Sequence, residues 1–167
     1  RYNKDAIVIN SSSKYFNKTG WRLGWVIATR NIINTIERLS MSLFLCPPTF
    51  SQLIAIKAFD NYDVLNKNVL IYKKNRDLLI NSFEDMGFSE YAPPDGAFYL
   101  YIDVSKITDN STEFAIKLLK EAGVSSTPGK DFDYNLGSRF IRFSYGGGHK
   151  EVVEGAKRIK NWIQTKN

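Results

Sequence analysis

Ser11-Ser12-Ser13-Lys14, answered by Gly20-Trp21-Arg22-Leu23-Gly24, is the stretch on which the reading of this chain turns. Just before it, residues 6–10 carry the β-branched run Ile7, Val8, Ile9, which predicts a buried strand. Residues 22–29 form a second apolar run and predict a second strand. A strand thus delivers its end into three hydroxyls and a lysine, and the chain returns through an arginine flanked by glycines. Hydroxyls and a guanidinium together supply a compact set of hydrogen-bond donors for a phosphate. Gly20 and Gly24 are expected to permit close backbone approach or unusual φ. A lysine beside a phosphate-bearing aldehyde can form a Schiff base if its amine is neutral. Its pKa must then fall from about 10.4, and partial burial and a nearby cation both act in that direction.

Outward from this stretch the pattern is mixed α/β. Ile32, Ile33, Ile36, Leu39, Leu43 and Phe44 suit one face of a helix over residues 31–45, closed by Pro47 and Pro48. Thr49 or Ser51 is the expected cap of the next helix. Leu65, Val69, Tyr72, Leu79 and Phe83 predict a long helix over about 62–86, stopped at Gly87. Residues 90–92 and 97–104 read as strands around the turn Pro93-Pro94-Asp95-Gly96. Ser111 or Thr112 is expected to cap a helix ending at Gly123, and residues 124–127 read as a short strand. Residues 139–145 predict a strand with Phe140, Arg142 and Ser144 on one face and Ile141 and Phe143 on the other. The last helix, residues 150–164, would bury Val152, Ala156, Ile159 and Ile163.

Composition removes several kinds of chemistry. The 167 residues are 43% apolar, enough for a packed core and about one domain in length. No apolar run is long enough to span a bilayer, so no membrane partner is expected. Lys plus Arg number 23 against 17 Asp plus Glu, but the basic residues are scattered, densest at Lys157, Arg158 and Lys160. No nucleic-acid partner is expected, and small phosphate-bearing ligands account for the excess equally well. The single Cys46 cannot form an internal disulfide, which fits a reducing, cytoplasmic compartment. The single His149 excludes sites that need two histidines; no metal site is expected, and the residue reads as a polar group at a helix entry. Chemistry must then run on Lys, Arg, Ser, Tyr and carboxylates, or on a cofactor. The chain opens at Arg1, close to the first apolar strand, and no signal peptide is expected ahead of it. That opening suggests a part cut from a larger protein.

The lysine stretch resembles the pyridoxal-phosphate attachment site of class I/II aminotransferases of fold type I. Lys14 and Arg22 keep the family's eight-residue offset between the lysine that forms the Schiff base and the arginine that binds the cofactor phosphate. Ser11, three residues before the lysine, matches a further phosphate contact, with Ser13 as a second candidate. Ser12 stands where a larger apolar or aromatic side chain is usual, and Lys18 where an apolar one is usual. Downstream, Pro94-Asp95-Gly96-Ala97-Phe98-Tyr99 resembles the family's small-domain turn and strand. Thr127-Pro128-Gly129 followed by Phe132 resembles its PG-x-x-F segment. Arg142, within Phe140-Ile141-Arg142-Phe143-Ser144-Tyr145, matches the arginine that clamps the substrate α-carboxylate, a task suited to a bidentate fork. Arg139 reads as a surface residue.

The resemblance implies an α/β fold: the small C-terminal domain over residues 61–167, and a remnant of the large-domain sheet over residues 1–60 that carries Lys14. It implies ping-pong transfer of an amino group from an amino acid to a 2-oxo acid, with pyridoxal 5'-phosphate as cofactor. It also implies a homodimer in the full-length protein, with the segment around Cys46 near the interface. The family's aspartate for the pyridine nitrogen, its asparagine and tyrosine at the ring oxygen, its stacking aromatic and its glycine-rich phosphate turn lie upstream of the region matched. The isolated chain is therefore expected to be inactive and need not retain the cofactor. The alternatives are another fold type I enzyme, a lyase or synthase, or a non-catalytic basic interaction module.

Overall fold

Antiparallel pairing of β1 (Val8–Ser11) with β2 (Gly24–Ile27) makes a two-stranded ribbon, in register from Val8↔Ile27 to Ser11↔Gly24. The computed structural model describes residues 3–166. The chain divides into two compact units, Arg1–Lys67 and Asn68–Asn167. In the first unit the ribbon is followed by α1 (Arg30–Leu43) and α2 (Thr49–Ala58). Here the expected buried strand is corrected. Ile7, Val8 and Ile9 form or flank β1 as their β-branching suggested, but all three are exposed, Ile9 at 76%. A buried strand needs cover on both faces, and β1 has β2 as its one strand partner among the described residues. Leu39 and Leu43 on α1 are exposed for a similar reason, since no residue of that helix is buried. At α2, Pro48 takes the cap position with no side-chain cap bond; Thr49 is the first helical residue and Ser51 is buried inside the helix.

The second unit has a closed core. Its sheet is antiparallel in the order β3-β5-β4, with β3 (Tyr99–Asp103) paired to β5 (Phe140–Ser144) and β5 to β4 (Thr127–Pro128). Strict alternation sorts the side chains. Leu100 and Ile102 of β3 and Ile141 and Phe143 of β5 are all but inaccessible. Tyr99, Tyr101, Arg142 and Ser144 occupy the opposite face of the same strands. Against the apolar face lie Leu79 and Phe83 of α3 (Tyr62–Asp85), Phe114 and Leu118 of α4 (Ser111–Ala122), and Ile159 and Ile163 of α5 (His149–Gln164). Trp162 joins them, a core residue the helical spacing of α5 did not single out.

Local signals place the ends of these elements with small shifts. Gly87 and Gly123 stop α3 and α4 in left-handed backbone, at φ +84° and +67°. The cap of α4 is Asn110, whose Oδ1 accepts from the Glu113 N–H at 3.3 Å, rather than Ser111 or Thr112. Ser111 is instead the first helical residue, buried, with its hydroxyl donating to the Gly137 carbonyl at 2.8 Å. The strand expected over 124–127 is reduced to Thr127–Pro128, and that over 90–92 to one bridge, Tyr91↔Ile102. Among the described residues no helix is long and apolar enough to cross a membrane.

Candidate active site

Residues 12–23 connect β1 to β2, so Ser13, Lys14 and Arg22 lie on one connection whose ends, Ser11 and Gly24, face each other in register. The connection is closed at its base by Ser12. The Ser12 N–H and its hydroxyl both donate to the Leu23 carbonyl, at 2.9 and 2.8 Å, and the Ser12 carbonyl accepts from the Lys18 N–H at 3.1 Å. Ser12 is buried, and the hydroxyl at this position has a structural task that an apolar side chain could not perform. Ser11 is exposed, and its Oγ accepts from the Ser13 N–H at 3.1 Å.

Lys14 is held from both sides. Ser12 precedes it; after it the Tyr15 hydroxyl donates to Asn66 Oδ1 at 2.9 Å, and Phe16 is buried against Phe59 and Trp25 at ring distances of 5.0 and 6.0 Å. The backbone of the lysine is therefore fixed by aromatic packing while its side chain is exposed. Partial burial of Lys14, expected from sequence, is not supplied by this unit, because the residues around it put their bulk under the loop.

Arg22 adopts φ +51° and ψ +47° at the end of a 3-10 turn over Thr19–Trp21. A non-glycine residue in left-handed backbone costs about 1 kcal/mol. It persists here because Leu23, the next residue, is clamped by Ser12. Asn17, on the same connection, is also left-handed, at φ +53°. The expectation for the two glycines divides accordingly. Gly20 has neither a positive φ nor a close neighbour, whereas a Cβ on Gly24 would lie 2.8 Å from the Asn10 carbonyl oxygen across the ribbon. Arg22 spends one N–H on the Thr19 carbonyl at 3.3 Å, and among the described residues no carboxylate pairs with it. Lys18 lies over the Trp21 ring at 4.9 Å, which accounts for a cation where an apolar residue is usual. The hydroxyls of Ser11 and Ser13, the Arg22 fork and the Lys14 amine are a donor and nucleophile set that fits a phosphorylated aldehyde.

Arg142 belongs to the second unit. It is half-buried on β5, between the rings of Tyr99 and Phe132, each 4.3 Å from its guanidinium carbon. Its Nη2 donates to Thr127 Oγ1 at 3.4 Å, and among the described residues no acidic side chain pairs with it. Arg139, read from sequence as a surface residue, is half-exposed but is tied to the buried Asp103 carboxylate at 2.6 Å. Burial raises the Asp103 pKa, yet the Ser105 hydrogen bonds and the Arg139 charge lower it by more, leaving it below the ordinary carboxylate value. The two arginines of this strand region thus differ in kind: one has its anion inside the chain and the other does not. His149 opens α5, as the sequence suggested, with Nδ1 2.7 Å from Asn75 Oδ1. Asn75 is fully buried and its Nδ2 donates to the Tyr145 and Gly147 carbonyls, both at 3.0 Å. This network holds the turn between β5 and α5. Sequence reasoning did not foresee it, nor the two rings around Arg142, though Tyr99 and Phe132 both belong to the downstream family-like motifs.

Comparison with known proteins gives the family. The family model for aminotransferase class I and II matches residues 2–159. Valine–pyruvate aminotransferase of Mycobacterium tuberculosis is 38% identical over 164 residues, covering 97% of this chain and 42% of that protein. Aspartate aminotransferase of Sulfolobus acidocaldarius is 32% identical over 162 residues, covering 95% of this chain and 40% of that protein. The crystal structure of an aminotransferase from Mycobacterium tuberculosis matches with a TM-score of 0.91 at 38% identity, over 98% of this chain and 43% of that one. The chain thus spans about two fifths of the length of the curated relatives it matches. Its mixed α/β architecture is that of fold type I aminotransferases. A match running through both units, from the ribbon that carries the lysine to the helix that closes the core, makes this chain a member of the aminotransferase class I and II family.

Proposed function

We propose that this chain is the C-terminal part of a pyridoxal-phosphate-dependent aminotransferase, a cytoplasmic homodimer when whole, that moves an amino group from an amino acid to a 2-oxo acid. Residues 1–60 would be the end of the large cofactor-binding domain and residues 61–167 the small domain. The observation that carries this reading is the register Ser11↔Gly24, which gathers the serine–lysine and glycine–arginine stretches onto one closed connection. The family implies the cofactor, and the donor set of that connection fits it. Lys14 would hold it through Nζ, and the Ser11 and Ser13 hydroxyls with the Arg22 fork would hold its phosphate. When bound, such a group supplies an electron sink for the bonds at the substrate Cα.

The chain's own residues contribute proton transfer and orientation. Lys14 Nζ would be the base that takes the Cα proton and returns it. Arg142 binds the α-carboxylate with two parallel N–H donors and so fixes which Cα bond is presented. The exposed apolar side chains of the ribbon and α1 are accounted for if the rest of the whole protein packs on them. The test is direct. Load the whole protein with pyridoxal phosphate, reduce with borohydride, digest, and locate the modified lysine. Modification at Lys14 is expected; modification elsewhere, with Lys14 unlabelled, overturns the reading.

A further inference from the structure

The surroundings of Arg142 say more than that it can bind a carboxylate, and they do so only if Arg142 is the carboxylate site. A free arginine side chain samples many rotamers, and a half-buried cation without an acidic partner would ordinarily swing toward water. Two sheet neighbours, Thr127 and Tyr99, and Phe132 from the following loop hold this one. Thr127 stands opposite Arg142 in the β4–β5 register and accepts one of its five N–H donors. Tyr101 stands opposite it in the β3–β5 register but stacks on Phe140, with rings 4.8 Å apart and 8° from parallel, and so does not take the guanidinium. The diagonal neighbour Tyr99 takes it instead, a distance that aromatic and long side chains span easily on one face of a sheet. Phe132 brings a second ring to the same distance, 4.3 Å from the guanidinium carbon.

Phe132 reaches that position through a tight loop. Its N–H donates to the Gly129 carbonyl at 2.9 Å. A Cβ on Gly129 would meet the Gly137 and Phe140 carbonyl oxygens at 2.6 and 2.7 Å, so the loop closes only with glycine there. Phe132 is 52% exposed.

We propose that Tyr99 and Phe132 are positioning residues: they sandwich the Arg142 guanidinium, fix its plane, and leave its N–H edge presented to the substrate α-carboxylate. Rings on both faces leave the edge as the only approach for an anion, and the edge is where bidentate pairing occurs. The sandwich supplies cation–π attraction without supplying an anion, so it holds the arginine without occupying it.

The test uses the whole holoenzyme and the amino donor that the wild type turns over best from a panel of L-amino acids. Tyr99→Leu and Phe132→Leu should each raise the donor KM about tenfold with kcat within about threefold, because the carboxylate is held by a less ordered fork. Cofactor absorbance and thermal midpoint should stay close to wild type. Tyr99→Phe and Phe132→Tyr, which keep the rings, should restore KM to within about twofold of wild type. Arg142→Lys is the control that separates two failures. If it raises KM while the folded leucine variants do not, the sandwich is wrong and the carboxylate site stands. Unchanged kcat/KM in Arg142→Lys would remove Arg142 from the site and the sandwich with it. A KM rise in the ring-retaining variants equal to that in the leucine variants would also overturn the proposal, since packing rather than the aromatic faces would then be responsible.

Discussion

Arg22 carries two opposed demands in one residue. Its left-handed backbone is unfavourable for any side chain with a Cβ, yet its guanidinium is the phosphate donor of the proposed site. Arg22→Gly should therefore leave the thermal midpoint of the cofactor-free whole protein unchanged or slightly higher. The same change should weaken pyridoxal-phosphate binding by at least about tenfold, the worth of a charge-assisted hydrogen bond. Titration of the cofactor by absorbance reads the second effect, and an unchanged dissociation constant would take Arg22 out of the site. Lys14, Arg22 and Arg142 could be named as candidates from the sequence because their chemistry and offsets are local in the chain. Ser12 was not, since its hydroxyl answers a carbonyl eleven residues on, and only the ribbon register brings the two together. Asn75 was not for the same reason at longer range, with partners at Tyr145, Gly147 and His149. Asn75→Ala would leave the buried Tyr145 carbonyl without this donor and loosen the turn held at Gly147 and His149, and should cost about 2 kcal/mol, read from the urea midpoint.

At the level of elements, the Asp103–Arg139 pair joins the end of β3 to the residue that leads into β5. Asp103 has its pKa depressed in the folded state, with the Ser105 bonds and Arg139 outweighing burial. Such a carboxyl adds stability at pH above its unfolded value of about 3.9, and that stability is lost as pH falls through the lower folded value. Denaturant midpoints measured from pH 7 to pH 3 should fall in the wild type below about pH 4, and Asp103→Asn should be less stable at pH 7 with a shallower fall. Parallel curves for the two proteins would refute the coupling. Helix ends obey the same division between local and distant partners. The stop signals Gly87 and Gly123 could be read directly, because a left-handed residue at a helix end is a backbone need that glycine meets. The start of α4 shifted by one residue because Ser111 is engaged by Gly137 from a distant loop, leaving Asn110 to cap. Asn110→Ala should then destabilise the chain by about 1 kcal/mol, whereas Thr112→Ala should be nearly neutral.

Across the whole molecule the sequence predicted where strands and helices form better than which of them are covered. Period-two alternation in β3 and β5 gave the correct buried face because that face is covered by helices within the chain. The Ile7, Val8, Ile9 run gave the strand but not its exposure, because burial depends on neighbours that the run itself does not encode. The chain of residues 1–167 supplied with pyridoxal phosphate should show no transamination above background, while the whole protein turns over; normal turnover by the short chain would overturn the proposed division of the site. The difference between the closed core and the open ribbon should also govern how backbone amides trade protons with heavy water. Amides of β3 and β5 can exchange only when the core opens cooperatively, so their protection should report the global stability of the second unit. A ribbon of two strands is marginal by itself, and the β1 and β2 amides should exchange by local fraying. In the whole protein those same amides should become slow, because strands covered by further chain open only with the larger core.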